Sequence, residues 1–514
     1  MLVVFSKFIA LNRKLFENDS VEYYAVDLFI FIIVGSKCKL FIMKKLKTTI
    51  LVFLISITIN NQAGNTYHTR STSNDIFSET EKNAHEPSVS VHYSPADLGM
   101  SAAGLARIDL VVKEGLDAKA FPGCQVLVLK EGIPVYDKCF GNYTYLSTQK
   151  VKPSTMYDLA SLSKTTGTLL AIMKLYDTGK LKLKDKASTY LTFLRGTDKE
   201  NITISELLFH ESGLPAGLPF YRLAIEKNNT PSFLASTKDT KHTVRMGGNK
   251  AVNPTLKYKQ DWVSKIPSAE YTSMVADSFY INNRFHDAAM QMIAHAHLYG
   301  KTYEYSCLNF ILLKEIAEAI TGTTMDVFLD REFYTPMKLN EMAYLPLRSH
   351  KKDEIAPTLK TDFLRNGVIQ GYVHDPDAAF LGGVSGNAGL FASATDVAIV
   401  YQMLLNQGEL DGKQYLTKET CKLFTTTTSA SGRRGLGYDK PVVVNPKHSP
   451  CCVSAPAAVY GHTGYTGTCC WVDPVNKLIY VFLSNRTYPN DGVNKLARMG
   501  IRTRIQEIIY QSIK

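Results

Sequence analysis

Two strand–turn–strand signals stand at opposite ends of this chain, with helical patterns filling the space between them. Near the N-terminal end, Cys124-Gln-Val-Leu-Val-Leu-Lys-Glu-Gly-Ile-Pro-Val-Tyr-Asp reads as strand, turn at Lys130–Gly132, strand. Far downstream, Thr468-Cys-Cys-Trp-Val-Asp-Pro-Val-Asn-Lys-Leu-Ile-Tyr-Val-Phe-Leu-Ser-Asn repeats the pattern with its turn at Asp473–Lys477. Helical periodicity appears over Ser101–Gly115, Thr165–Asp177, Ser205–Leu208, Asn309–Ile320, Thr395–Leu405 and Val493–Ile513. The lysine-rich run Lys180–Lys186 reads as the loop after a helix that ends near Gly179. This order predicts an α+β fold: a mainly antiparallel sheet that joins strands from both chain ends, flanked by helices, with a mostly helical subdomain inserted between them. Pro215–Gly300 is polar and irregular for a core and reads as an elaboration that shapes a cleft.

Composition matters mainly for what it excludes. Over 514 residues the chain is 45% hydrophobic and 20% charged, which rules out a wholly disordered protein. No period of the kind that marks a solenoid or a propeller is present. The formal net charge is +11, and residues 1–63 hold eight Lys/Arg against four Asp/Glu, so residues 64–514 keep +7. That remainder is spread out, with no basic stripe interleaved with aromatics, and a nucleic-acid partner is not expected.

The leader explains the rest of the charge. Lys44, Lys45 and Lys47 precede an apolar run from Ile50 to Ile59, and Ala63-Gly64 offers a small-residue cleavage point. Residues 43–63 therefore read as a secretory signal, too short in its apolar part to span a bilayer comfortably. Residues 1–42 are expected to be an over-extended start, with translation beginning at Met43. Residues 64–95 read as a flexible tether. The expected location is periplasmic or extracellular, with a membrane involved only through the signal or an uncleaved anchor, and the expected state is a monomer. Of nine cysteines, Cys38 lies in the leader, no CxxC pair exists, and no histidine stands at zinc-ligand spacing from them. The doublets Cys451-Cys452 and Cys469-Cys470 read either as paired with each other or as buried free thiols.

Three short segments carry chemistry. Ser161-Leu-Ser-Lys164 enters a helical pattern, so Ser161 and Lys164 fall on one face a turn apart. A serine hydroxyl is a poor nucleophile without a base, and a lysine that is partly desolvated or beside other cations has its pKa lowered towards that task. Tyr305-Ser306-Cys307 opens a second helix, where the tyrosine is placed to shuttle the serine proton. Tyr460-Gly-His-Thr-Gly-Tyr-Thr-Gly-Thr precedes the C-terminal hairpin, and its glycines allow backbone N–H groups to approach a reacting carbonyl closely.

Taken in this order, the segments resemble the serine β-lactamase and penicillin-binding-protein superfamily, on its class C β-lactamase-like branch. Its motifs are S-x-x-K, then Y-x-N or Y-S-x, then K-T-G or H-T-G; here they read Ser161–Lys164, Tyr305–Cys307 and His462-Thr463-Gly464. The stretches Leu207-Leu-Phe-His-Glu-Ser-Gly-Leu-Pro and Gly382-Gly-Val-Ser-Gly-Asn-Ala-Gly-Leu-Phe also fit. The resemblance covers residues 96–514. It implies one catalytic domain, with an α/β part at 96–155 and 395–514 and a helical part at 156–394 that holds the irregular insert 215–300. It further implies an acyl-enzyme on Ser161, proton handling by Lys164 and Tyr305, and His462 in the place of the third-motif lysine, orienting the tyrosine or a substrate carboxylate. Ser161 and Tyr465 would give oxyanion N–H groups, Thr463, Gly464 and Cys307 would line the substrate, and no metal or organic cofactor would be needed.

Two departures from the family pattern shape the expected substrate. Cys307 stands where Asn or Asp is common, and a thiol is a weaker hydrogen-bond partner for a substrate amide. His462 replaces a charged lysine. Both lean towards an ester or a D-amino-acid-containing cell-wall peptide rather than a β-lactam antibiotic. A β-lactamase and a non-catalytic penicillin-recognising module are the alternatives. Of the remaining candidates, Gly383-Val-Ser385-Gly-Asn387 reads as a tight turn, His210 as a helix end rather than a base for Ser212, and His286, His295 and His297 as solvated.

Overall fold

The computed structural model describes residues 93–226, 233–246, 250–365, 367–432, 434–443, 445 and 448–514. The expected leader 1–42, the signal 43–63 and nearly all of the tether 64–95 lie outside the described residues.

The chain begins with helix α1 (Ala102–Asp117), whose N-terminus is capped by Ser101 Oγ accepting from the Gly104 N–H. Strands β1 (Gly123–Lys130) and β2 (Ile133–Gly141) follow. Glu131 and Gly132 join them with φ of 56° and 82°, the two left-handed residues that a type I′ hairpin turn needs. Next come β3 (Tyr157–Asp158), α2 (Leu169–Asp177), α3 (Ile204–Phe209) and α4 (Cys307–Thr321). Then β4 (Leu390–Ala392) leads into α5 (Ala394–Leu405). The chain closes with β5 (Tyr460–Thr463), β6 (Cys469–Asp473), β7 (Leu478–Ser484) and α6 (Ile501–Gln511).

The main sheet has five antiparallel strands in the order β5-β6-β7-β1-β2. The two end hairpins therefore meet edge to edge, with Val126 opposite Phe482 and Leu127 opposite Val481. Alternation then sorts the side chains to two faces. Val126, Val128, Tyr480 and Phe482 join Ile108, Val112, Ile505 and Ile509 of α1 and α6 in one buried cluster. Leu127, Leu129, Val481 and Leu483 join Val397, Val400 and Leu404 of α5 in the other. Each fully buried aliphatic side chain here contributes about 1.5–3 kcal/mol, which pins the register, because a one-residue slip would exchange the two faces.

Two expectations are corrected. Val493–Ile513 is not one closing helix: it divides into Lys495–Arg498 and α6, with Gly500 at φ 59° between them. A left-handed glycine ends the first helix and redirects the chain into the second. The segment 215–300, read as irregular, holds two small three-stranded sheets and the helix Phe285–His295 in its described residues. Its order comes from aromatic packing, with Trp262 edge-on to Phe285 at 5.5 Å and Phe285 against Phe380 at 5.3 Å. Strands of two to four residues are too short to announce a period. All eight cysteines from Cys124 onward are free thiols. Among the described residues, no helix is long and apolar enough to cross a membrane.

Candidate active site

The segment that carries Ser161 is held in an uncommon backbone shape. The Asp158 carboxylate accepts hydrogen bonds from the backbone N–H of Ala160 at 2.8 Å and of His374 at 2.6 Å. Ala160 sits at φ 46°, a left-handed conformation that costs a residue with a Cβ about 1–2 kcal/mol. Ser161 follows in a tight 3₁₀ turn, and Lys164–Thr168 form a widened π-type turn before α2 begins. The helix expected from Thr165 is present, but its first turn is not α. The Thr165 and Thr166 hydroxyls both donate to the Leu162 carbonyl, at 3.1 and 2.7 Å, and so compete with the regular ladder. Single π turns of this kind recur at functional sites.

Lys164 is fully buried beside Ser161. Its Nζ donates to Ser161 Oγ at 3.0 Å and to the Asn387 carbonyl at 2.9 Å, and lies 3.6 Å from Cys307 Sγ. It also contacts the Tyr305 phenol and stands 5.2 Å from the centre of that ring. Burial pulls the Lys164 pKa down, but the negative potential of Cys307, Tyr305 and Asp375 outweighs it and leaves the pKa above the ordinary lysine value. The expected lowering is therefore not found. The neighbours that decide it are acidic rather than cationic. Burial pushes the Cys307 thiol up, so at neutral pH it stays protonated.

The opposite wall of the site, around Tyr305, is built from four separate stretches. Tyr305 precedes α4, where the Ser306 hydroxyl donates to the Pro215 carbonyl. His210 ends α3 in a left-handed conformation, as expected of a helix terminus. Its ring also packs on Tyr305, 4.7 Å between centres. His210 Nδ1 accepts from the Ser306 N–H at 3.1 Å and from Asn309 Nδ2 at 3.0 Å. Ser212 is not its partner and bonds Asn309 Oδ1 instead. His462 on β5 lies 6.0 Å from Tyr305, centre to centre. Its Nδ1–H donates to the Thr463 carbonyl at 2.7 Å, so its Nε2 accepts from Arg434 Nη2. Both ring nitrogens are then used. The expectation that His462 hydrogen-bonds the tyrosine or a substrate carboxylate is not met by this geometry. Burial, then the nearby Arg434 charge, hold both His210 and His462 well below the usual histidine range, so both are neutral.

The loop after β5 is pressed onto the nucleophile segment. Thr466 and Thr468 hydroxyls donate to the Asp158 and Leu159 carbonyls, at 2.6 and 2.8 Å. A Cβ on Gly464 would stand 2.3 Å from the Leu159 carbonyl, so only glycine fits there. Among the described residues, neither the Ser161 nor the Tyr465 N–H donates a hydrogen bond to a protein acceptor. Thr463 is part-exposed at the end of β5, and the Tyr465 side chain is exposed, with the Arg486 guanidinium 4.2 Å over its ring.

Ser161 opens into a cleft of about 340 Å³, lined also by His374, Asp375, Tyr465, Asp491 and, from the insert, Val244. Among the described residues no cluster of His, Cys, Asp and Glu could hold a metal.

Two participants escaped the sequence reading. Arg434, almost fully buried, carried no motif signal. The Asn387 carbonyl lies in the stretch read only as a tight turn. Ser385 does bond Asn387 Oδ1 there, and Gly386 packs against the α4 backbone, where a Cβ would meet the Phe310 carbonyl at 1.8 Å. Of the remaining histidines, His295 and His297 are exposed as expected, whereas His286 is part-buried and bonded to Glu315 at 2.9 Å.

Comparison with known proteins identifies the family. The β-lactamase family profile matches residues 108–501. An Escherichia coli (strain K12) protein named "Putative D-alanyl-D-alanine carboxypeptidase" is 30% identical over 421 residues, 77% of this chain and 85% of that protein. An N-acetylmuramyl-L-alanine amidase of Bacillus subtilis (strain 168) is 28% identical over 445 residues, 81% of this chain and 88% of that one. Among solved structures, a penicillin-binding-protein homologue from Caulobacter crescentus shares the fold at a TM-score of 0.54 and 18% identity, covering 80% of this chain and 99% of its own. The chain belongs to the β-lactamase family and is a serine hydrolase of that family.

Proposed function

We propose that the protein is an exported peptidase that acts on cell-wall peptides ending in a D-amino acid, through an acyl-enzyme on Ser161, with residues 96–514 as its catalytic domain. The observation that carries the reading is the buried Lys164 Nζ at 3.0 Å from Ser161 Oγ, at the edge of a cleft that Ser161 and Tyr465 both line. The carboxypeptidase name of one relative supports a D-amino-acid terminus, and the amidase name of another supports cell-wall material more broadly.

In this mechanism Ser161 Oγ attacks the scissile carbonyl carbon and a C–O bond forms. Lys164 is held above the ordinary lysine value, so the reactive form is the one in which the Lys164–Tyr305 pair has already lost a proton; the serine proton passes to that form of the pair, and the oxyanion is held by the Ser161 and Tyr465 N–H groups. The C–N bond then breaks, and the same pair returns the proton to the departing D-amino acid's nitrogen. Water repeats the sequence on the acyl-enzyme and frees the serine. Export follows from the expected signal at 43–63 and from a substrate that lies outside the membrane.

One observation favours an ester as a second substrate. Cys307, a protonated thiol against Lys164, offers a peptide amide little of the hydrogen bonding that Asn would give. A panel of D-Ala-D-Ala peptides, short-chain nitrophenyl esters and a chromogenic cephalosporin tests the proposal. Release of D-alanine that disappears in Ser161→Ala supports it. Rapid cephalosporin hydrolysis without D-alanine release overturns it in favour of a β-lactamase.

A further inference from the structure

The third motif of this chain places histidine where the family's K-T-G form has a charged lysine, and that histidine is neutral. The structure nevertheless holds a cation at the same wall. Arg434 is 1% exposed, its Nη2 donates to His462 Nε2, and its Cζ stands 5.5 Å over the Tyr305 ring. Asp439 Oδ1 lies 3.2 Å from Nη1 and fixes the guanidinium from behind. Arg434 Nε is buried and has no hydrogen-bond partner, so the side chain is spent on this wall rather than on a saturated structural network.

We propose that Arg434 is a positioning residue of the active site: it locks His462 as the Nδ1–H tautomer and sets a fixed positive charge behind Tyr305, replacing the charge that K-T-G members carry on the motif itself. The proposal rests on the reading of Ser161, Lys164 and Tyr305 as the reacting group. The charged and titratable groups that face Tyr305 and His462 are Lys164, His210, Arg434 and Asp439, with Cys307 one contact further through Lys164. Removing Arg434 takes away one of the two cations on the Tyr305 ring, Lys164 being the other. A proton then leaves the Lys164–Tyr305 pair less readily, and the rate's acidic limb moves to higher pH.

The test is a set of three variants read by pH–rate profile and by ¹⁵N NMR of the histidine ring. Arg434→Met is expected to lower kcat/KM by roughly 10- to 100-fold and to move the acidic limb up by about one pH unit. Arg434→Lys, which keeps the charge, is expected to return the limb to its wild-type position. Arg434→Met combined with His462→Lys, which restores the charge on the motif, is expected to recover most of the lost rate. In the wild type, His462 is expected to show a protonated Nδ1 and an unprotonated Nε2. A protonated Nε2 in the wild type, or an Arg434→Met profile with an unmoved acidic limb, overturns the proposal. If Arg434→Met does not fold, Arg434→Lys and the wild-type ring spectrum still decide it. The ring spectrum needs no turnover, so failure of this inference is separable from failure of the peptidase reading.

Discussion

The two walls of the Ser161 site are made in different ways. On the first wall, Ser161 lies in a 3₁₀ turn and Lys164, three residues on, opens the π-type turn, and their 3.0 Å contact joins these two adjoining turns. On the opposite wall, His210, Tyr305, Arg434 and His462 come from α3, the start of α4, a loop and β5, and none touches another because of sequence spacing. The first wall is a motif; the second is a product of tertiary packing. The difference is that the Ser161–Lys164 contact is made within one stretch of chain, whereas the groups around Tyr305 are brought together only by the whole fold.

The sharpest way to break that contrast is at Lys164. Lys164→Ala is expected to reduce kcat by about 10³-fold, since general acid–base groups contribute on that scale, while Ser161→Ala and Lys164→Ala should not add. Steady-state kinetics of the two single variants and the double variant check this. An additive pair would mean that the wall is not one unit.

A scaffold carboxyl offers a contrast in pH dependence. Burial raises the Asp396 carboxyl to about 7, where it accepts from the Glu341 N–H at the start of α5. A folded pKa above the unfolded one contributes stability below about pH 4, and that stability is lost as pH rises through 7. Wild-type unfolding free energy is expected to fall by about 4 kcal/mol from this group between pH 4 and pH 8. Asp396→Asn is expected to flatten that slope without moving the pH–rate profile. Denaturant titrations across pH measure it.

Gly464 joins the two walls. Gly464→Ala drives a Cβ to 2.0 Å from Thr468 Oγ1 and 2.3 Å from the Leu159 carbonyl. Displacing the Tyr465 N–H by even an ångström is expected to cost about 100-fold in kcat, with KM and folding changed much less. The smallest effect is expected at Cys307. Cys307→Asn should raise the ratio of peptide to ester turnover by up to about tenfold, the value of one added hydrogen bond. A ratio that falls would show that the thiol is not what limits amide recognition.

How much was legible follows the same division. The five-stranded sheet was readable from short continuous apolar runs such as Val126–Leu129 and Ile479–Phe482 bounded by turns, because a strand buried on both faces is apolar at every position. The closeness of Ser161 and Lys164 was readable from their spacing, but their candidate role was not, since S-x-x-K is common by chance and gains weight only from the two later motifs. Tyr305 and His462 were readable only through their order along the chain. Arg434 was not, because one arginine of an Arg-Arg pair in a polar loop looks like surface until packing buries it. The sign of the Lys164 pKa shift was missed for a related reason: the acidic groups around it, including Asp375, arrive from distant segments. The break at Gly500 did leave a signal: on one continuous helix Leu496 and Met499 would fall on the face opposite Ile501, Ile505, Ile508 and Ile509.

The central claim is that Ser161 becomes acylated with Lys164 beside it. Intact-mass spectrometry after incubation with a fluorescent penicillin tests it most directly. The account predicts a single covalent adduct on the wild type, none on Ser161→Ala, and much slower formation on Lys164→Ala. An adduct that persists in Ser161→Ala, or no adduct with any β-lactam, ester or peptide probe, would contradict it.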